Sequence, residues 1–214
     1  PVATPQPAPR AETRRAFVER EVEPPAAEHD RAERFNHALF RRAGELGLLG
    51  VTLPEEHGGA GLDATAAAQV FEALSTSDPA FALSVLAHAI LFAQNVAANG
   101  DDEQRARWLP RAASGEWIGG MCITEPEGGT DVMAMRTRAR LDGDAYVLDG
   151  AKTWISNGTV DGATAGDAFV VYAATAPGQL SAFVVEKGMP GFRPGQQWKD
   201  KLGMRASSTA ELLF

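Results

Sequence analysis

The chain has 214 residues, 44% of them hydrophobic, with a net charge of −8 and one cysteine; that supports one large or two modest cores without staples, and a lone Cys122 excludes an internal disulfide framework and a Cys-x-x-Cys zinc site. An acidic surface repels phosphate backbones, so nucleic acid is a poor partner. No apolar run approaches the roughly 18 residues of a membrane span and no signal-peptide stretch opens the sequence, so a soluble protein without a membrane partner is expected, cytoplasmic in a bacterium whose genome is GC-rich by its Arg and Ala usage.

Residues 1–9, PVATPQPAP, read as a flexible Pro-rich arm. From Arg10 the pattern turns helical, and ETRRAFVEREVE is expected to stop at Pro24-Pro25. A second helix is predicted over roughly Ala26 to Leu49, with Phe35, Leu39, Ala43, Leu46 and Leu49 on one stripe. LPEEHGGAG (53–61) reads as a loop and residues 63–76 as a helix. Asp78-Pro79 opens another helix over 80–98, apolar nearly all round and so expected to be buried. Gly100 ends it, and Asp101 with Gln104 resembles a capping box for a short helix closing at Pro110.

After Gly115 the period changes. Trp117–Ile123, Met135–Leu141, Ala145–Leu148, Ala151–Ile155, Asp167–Ala174 and Leu180–Glu186 are short, rich in β-branched and aromatic residues and split by turns. Asp142-Gly143-Asp144 and Asp149-Gly150 sit where hairpins would reverse. The expected fold class is α+β: the arm, an all-α domain over 10–115, then an antiparallel β-barrel-like domain over 116–214. Glu211-Leu212-Leu213-Phe214 reads as a strand in progress, an edge that a domain rarely leaves unpartnered. A longer natural chain is therefore expected, with the second domain incomplete at its C-terminal end.

Three segments invite a chemical reading. GAGLDA (59–64) fits a dinucleotide-binding turn, but Pro54 breaks the preceding strand and no acidic second strand follows, so a glycine-rich loop is the better reading. Met121-Cys122-Ile123-Thr124-Glu125-Pro126-Glu127-Gly128-Gly129-Thr130-Asp131 ends a strand in a loop whose glycines let backbone N–H groups approach a ligand; composition alone favours a plain turn. Lys152-Thr153-Trp154-Ile155-Ser156-Asn157-Gly158 sets a tryptophan and a hydroxyl two residues apart, on one strand face. Taken alone, that tryptophan reads as a core residue.

The two segments together, TEPxxG[ST]D and then KxWIxNG, resemble the signature of the acyl-CoA dehydrogenase family. GELGLLGVTLPEEHGG (44–59), RWLPRAASGEWIGG (107–120), LSAFVVEKGMPGF (180–192) and KLGMRASSTAELLF (201–214) extend the resemblance along the chain, and the last two are most similar to isovaleryl-CoA dehydrogenase-like members. The resemblance implies FAD as cofactor and an acyl-CoA thioester as substrate. It implies α,β-dehydrogenation of a short acyl chain, isovaleryl before butyryl, with electrons passed to an electron-transfer flavoprotein in a homotetramer built as a dimer of dimers. An acyl-CoA oxidase using oxygen, or a flavin- or acyl-binding protein without catalysis, are the alternatives.

By motif, Met121, Ile123 and Thr124 should run along the flavin ring, Gly129 and Thr130 should meet the cofactor, and Thr130 should also meet the acyl-CoA chain. Trp154 should cover the flavin face opposite the substrate, with Ile155 beside it and the Ser156 hydroxyl near N5. The family's catalytic glutamate belongs to a C-terminal helical-bundle domain absent from this chain, so no catalytic residue is assigned within it. Glu125 and Asp131 read as turn residues and Cys122 as an inert core thiol. His29, His37, His57 and His88 are too scattered for a metal site. The stretch Ala176-Pro177-Gly178-Gln179 is shorter than in the isovaleryl-CoA dehydrogenase-like members, and Trp198 is unusual.

Overall fold

Helices fill the chain as far as Ser114 and strands take over from Gly119 in the computed structural model, which describes residues 15–214; the arm expected over 1–9 lies outside the described residues. The first departure from the sequence reading is at Pro24-Pro25. A π-helical turn, Val18–Val22, runs directly into α1 (Glu23–Ala32), and the Glu23 N–H bonds back to Val18 O. The two prolines thus stand in the first turn of the α-segment, where a missing N–H costs least, and the helix continues through them.

The helix expected over Ala26 to Leu49 is two. Glu33 adopts φ +50° and ends α1, and the Asn36 side chain accepts from Leu39 N–H at 3.0 Å, capping α2 (His37–Glu45). The stripe lies wholly beyond the break: Phe35, Leu39, Ala43 and Leu49 are buried in one cluster and Leu46 packs against it, whereas α1 buries no residue. Asp63 caps α3 (Ala64–Ser75), and Asp78 caps α4 (Pro79–Asn99), whose middle, Ala87–Gln94, is π-helical. By length and composition α4 could cross a membrane, contrary to the sequence reading, but most of that stretch is buried inside the fold. α5 (Asp102–Ser114) has the Asp101–Gln104 capping box and runs past Pro110 instead of stopping there. Leu109, Ala112 and Ala113 bury the turns around that proline, and such packing outweighs one lost backbone bond.

Eight strands follow: β1 (Gly119–Cys122), β2 (Arg138–Asp142), β3 (Ala145–Asp149), β4 (Ala151–Ser156), β5 (Ala168–Ala176), β6 (Gln179–Glu186), β7 (Arg193–Gln197) and β8 (Thr209–Leu213). They form a five-stranded sheet, β1-β5-β2-β3 with β6 on β5, and a three-stranded sheet, β4-β8-β7. The antiparallel barrel is not what forms. β1 runs parallel to β5, and β2 meets β5 in parallel at Arg138↔Ala174, so the larger sheet is mixed and open. Short turns predict antiparallel neighbours, but β1 and β5 are far apart in sequence and meet by a long crossover, which permits parallel pairing.

The Asp142-Gly143-Asp144 hairpin joins β2 and β3. Asp149-Gly150 does not make one: β3 pairs with β2 and β4 with β8, so the chain changes sheet there. A Cβ on Gly150 would lie 2.5 Å from Thr137 Oγ1. β7 escaped the sequence reading because Pro194 and Gly195 break its pattern. β8, expected as an edge, is the central strand of its sheet, with β4 and β7 on its two sides. The core between the sheets holds Cys122, Ile155, Phe169, Val171, Val185 and Leu212. Helices α4 and α5 pack on β5 through Phe92, Val96, Leu109 and Val170.

Candidate functional site

Glycines decide how closely the two motif segments approach. At Gly119 a Cβ would lie 2.3 Å from the Phe92 ring of α4, and at Gly120 one would lie 2.7 Å from Ser156 O. Only bare backbone lets β1 lie between the helix and β4. Beyond β1 the contact continues: Thr153 N–H donates to Thr124 O at 2.9 Å. The first motif loop therefore lies alongside the second motif strand.

A buried ion pair fastens them. Lys152 Nζ donates to Glu125 Oε1 at 3.0 Å and to Ile123 O at 3.1 Å, with Lys152 0% and Glu125 6% exposed. The Glu125 carboxylate also accepts from the N–H groups of Arg136 (2.6 Å) and Thr137 (2.7 Å). Burial alone pushes this carboxyl up, but the bonds from Thr137, Arg136 and Lys152 outweigh it and hold the pKa at about 2. Burial lowers Lys152 despite the carboxylate beside it. Neither residue stood out in the sequence as a site residue. The available signal was Lys152, the one charge in its strand motif; Glu125 shares its loop with Glu127 and Asp131 and was not singled out by charge.

Asn157 was also missed. At φ +61° its Nδ2 donates to Ser84 O (3.0 Å) and to Gly119 O (2.9 Å), joining α4 to β1. His88 does the same from the helix side: Nδ1 accepts from Gly119 N–H at 2.9 Å and Nε2 donates to Ala112 O at 2.9 Å. Burial holds this ring neutral, with its pKa at about 4.

Trp154 is 56% exposed, although the residues on either side of it are buried. Its φ is +59°, and the β4–β8 ladder is irregular between Lys152 and Ile155. Lys152, two residues before Trp154, is buried, so a bulge rather than plain alternation turns the indole outward, while Ser156 is half-buried. Ile155 points the other way: its side chain is 3% exposed and packs with Cys122, Phe169 and Leu212, so only its backbone is available to a ligand. Met121 is half-buried, its sulfur 3.9 Å from Asn95 Nδ2. Thr124 is half-buried, while Gly129 and Thr130 are exposed in the loop, beyond the Glu125–Gly128 backbone bonds that close its turn. A Cβ at Gly129 would approach Thr124 Cγ2 at 3.1 Å. Burial pushes the Cys122 thiol far up, which makes it inert.

These residues offer an outward indole face, two half-buried hydroxyls and a bare loop with a third hydroxyl. Such a set suits a flat ring with polar edges and an anionic tail. The GAGLDA loop offers nothing comparable. Ala60, Gly61 and Leu62 spend their N–H groups on Gly50, Leu53 and Val51 carbonyls, and a Cβ on Gly59 would lie 2.0 Å from Leu53 O. Among the described residues no group of three or more His, Cys, Asp and Glu side chains is arranged to hold a metal ion.

The model of the acyl-CoA dehydrogenase N-terminal domain matches residues 9–116, and that of the middle domain residues 120–214. The mitochondrial isovaleryl-CoA dehydrogenase of Pongo abelii is 39% identical over 206 residues, covering 92% of this chain and 47% of that protein. The short-chain specific acyl-CoA dehydrogenase of Clostridium acetobutylicum is 41% identical over 204 residues, covering 94% and 52%. A solved glutaryl-CoA dehydrogenase from Mycobacterium smegmatis, in complex with FADH2, matches with a TM-score of 0.88 at 34% identity, over 96% of this chain and 51% of that one. The chain spans about half the length of the relatives it matches.

Proposed function

The chain belongs to the acyl-CoA dehydrogenase family, and from that premise we propose that it carries the FAD-facing part of an enzyme for α,β-dehydrogenation of short acyl-CoA thioesters. The observation that carries the reading is the meeting of the two motif segments, Thr153 N–H bonded to Thr124 O, with the next residue, Trp154, exposed on the strand that also carries Ser156. A flavin fits this donor set: the indole offers an area to stack on, the hydroxyls of Thr124 and Ser156 suit a polar ring edge, and the open loop at Gly129 and Thr130 suits a pyrophosphate. FAD, when bound, supplies the two-electron acceptor that no side chain provides.

The remaining roles fall to the chain itself. Trp154 and the strand from Met121 to Thr124 hold the ring and keep water from it, with Ile155 contributing backbone only. Thr130 meets both cofactor and acyl-CoA. Glu125 is not a base: its carboxylate is held ionised by three hydrogen bonds that fix the loop. We assign the base to a glutamate outside residues 1–214, in a helical domain within the length of the relatives that this chain does not match. The division into an α domain over 10–115 and a β domain over 116–214, a homotetramer, a cytoplasmic bacterial setting and electron-transfer flavoprotein as acceptor belong to the same proposal.

For the acyl group we propose isovaleryl first and butyryl second. One methylene in an apolar pocket is worth only about 1–3 kcal/mol, so related enzymes drift easily between the two. The full-length protein should be purified, its FAD content measured, and kcat/KM compared for isovaleryl-, butyryl- and octanoyl-CoA with electron-transfer flavoprotein or an electron-accepting dye. A clear preference for octanoyl-CoA overturns the substrate reading. Oxygen uptake matching turnover overturns the acceptor. A protein that binds no FAD overturns the whole.

A further inference from the structure

Trp198 belongs to neither motif, yet it meets the indole that the fold turns outward at the site. Trp154 takes φ +59°, which a bulky residue adopts only where its surroundings force it. An indole so exposed is free to reorient about its side-chain torsions, and a flat ligand must arrest that motion to bind. Trp198 stacks on it, ring centroids 4.3 Å apart and planes 16° from parallel. Its Nε1 is buried without a hydrogen-bond partner, so its contribution here is ring area.

Trp198 is itself held from both domains. Its N–H donates to Thr209 O at 2.9 Å. Next to it, Lys199 Nζ donates to Glu33 O at 3.4 Å and Asp200 N–H to Glu33 Oε1 at 3.0 Å. Arg205 pairs with the same Glu33 carboxylate, and its N–H donates to Asp30 Oδ1 at 2.8 Å. Glu33 is the left-handed residue that ends α1. The helical domain therefore anchors the loop whose tryptophan backs the site.

We infer that Trp198 is a positioning residue: it braces one face of Trp154 and leaves the other as a fixed platform for the flavin ring. The inference rests on the placement of the flavin at Trp154 proposed above. Preorganisation of this kind changes affinity without a contact between Trp198 and the ligand.

The test uses the full-length protein with Trp198→Leu, Trp198→Phe and Trp154→Ala. Apoprotein is titrated with FAD, and its circular dichroism is scanned for the exciton couplet of a stacked indole pair. Trp198→Leu should weaken FAD by roughly 3- to 10-fold, as loss of one aromatic pair implies. It should also abolish the couplet, with the melting temperature of the apoprotein nearly unchanged. Trp198→Phe keeps a ring and should restore affinity to within about twofold. Three results overturn the inference. In the first, Trp198→Leu binds FAD as tightly as the parent while Trp154→Ala does not, so there is no brace. In the second, the Leu and Phe variants lose affinity equally and melt early, so Trp198 is only structural. In the third, Trp154→Ala keeps full affinity, which removes the flavin placement and this inference with it.

Discussion

The Glu125–Lys152 pair should be the most sensitive point of the site, because it is buried on both sides and joins the two motif segments. Replacing Lys152 with Met keeps the length of the side chain and removes the ammonium. Glu125 is then left ionised and buried, with only the two N–H groups of Arg136 and Thr137. The pKa of Glu125 is held at about 2 against an ordinary 4.5, and at 1.36 kcal/mol for each pKa unit that corresponds to on the order of 3 kcal/mol of stabilisation of the folded state. That figure belongs to all the partners of the carboxylate together, Lys152 being the least of them; removing one partner of a buried pair typically costs about 3–5 kcal/mol. The assay is urea unfolding of the full-length protein with FAD retention read in parallel. Lys152→Met should fall by about 3–5 kcal/mol and shed FAD, because Ile123 O loses its donor together with Glu125. The double variant Glu125→Gln/Lys152→Met should lose less than the sum of the single variants. Because the folded pKa of Glu125 is depressed, its contribution is complete above pH 4.5 and is lost as pH falls towards about 2. A Lys152→Met protein within about 1 kcal/mol of the parent and fully loaded with FAD would refute the clamp, since surface pairs cost no more than that.

Other perturbations reach the same assembly from other directions. His88 is neutral in the fold with its pKa at about 4, below its ordinary 6.5, so its contribution should be complete above pH 6.5 and fade as pH falls through about 4; His88→Leu should flatten that part of a melting-temperature profile against pH while costing about 2–5 kcal/mol for the two orphaned backbone groups. Gly119→Ala should overpack the Phe92 ring, 2.3 Å from the new Cβ, and cost about 1–3 kcal/mol in chemical denaturation. Trp154→Ala should lower FAD content and alter the flavin absorption spectrum of the full-length protein; unchanged values would place the ring elsewhere. Purified residues 1–214 should show no acyl-CoA-dependent FAD reduction in a spectrophotometric assay.

Local devices were legible in the sequence because each is complete within a few residues. Asp101 and Gln104 close their capping box within one turn, and Asp142-Gly143-Asp144 reverses β2 into β3. Where the sequence misled, a second cause outside the window decided. The stripe from Phe35 to Leu49 begins only after Glu33 has ended α1, so helix-forming composition alone joined the two segments where backbone angles and a cap make two helices. The π-helical turn before Pro24 changes what the prolines interrupt. Apart from β7, strand existence was readable and strand partnership was not, since the parallel alignment of β1 with β5 depends on a crossover that passes through the other sheet.

The site followed the same division. Its motifs were readable as strings, and the resemblance assigned them roles, but the reason they work as one unit lies in residues that a string treats as filler. A lysine in a strand reads as a solvated side chain, and a glutamate before a proline reads as a turn. Only with β1 laid against β4, which Gly119 and Gly120 permit, do Lys152 and Glu125 face each other in the interior. Once they do, each makes the burial of the other tolerable, and neither can be replaced alone. The same reasoning accounts for Trp154. Its exposure would be unfavourable for an isolated strand, but the bulge that turns it outward starts at Lys152, the residue anchored to the first motif. The clamp that joins the motifs therefore also fixes the point from which the indole is presented.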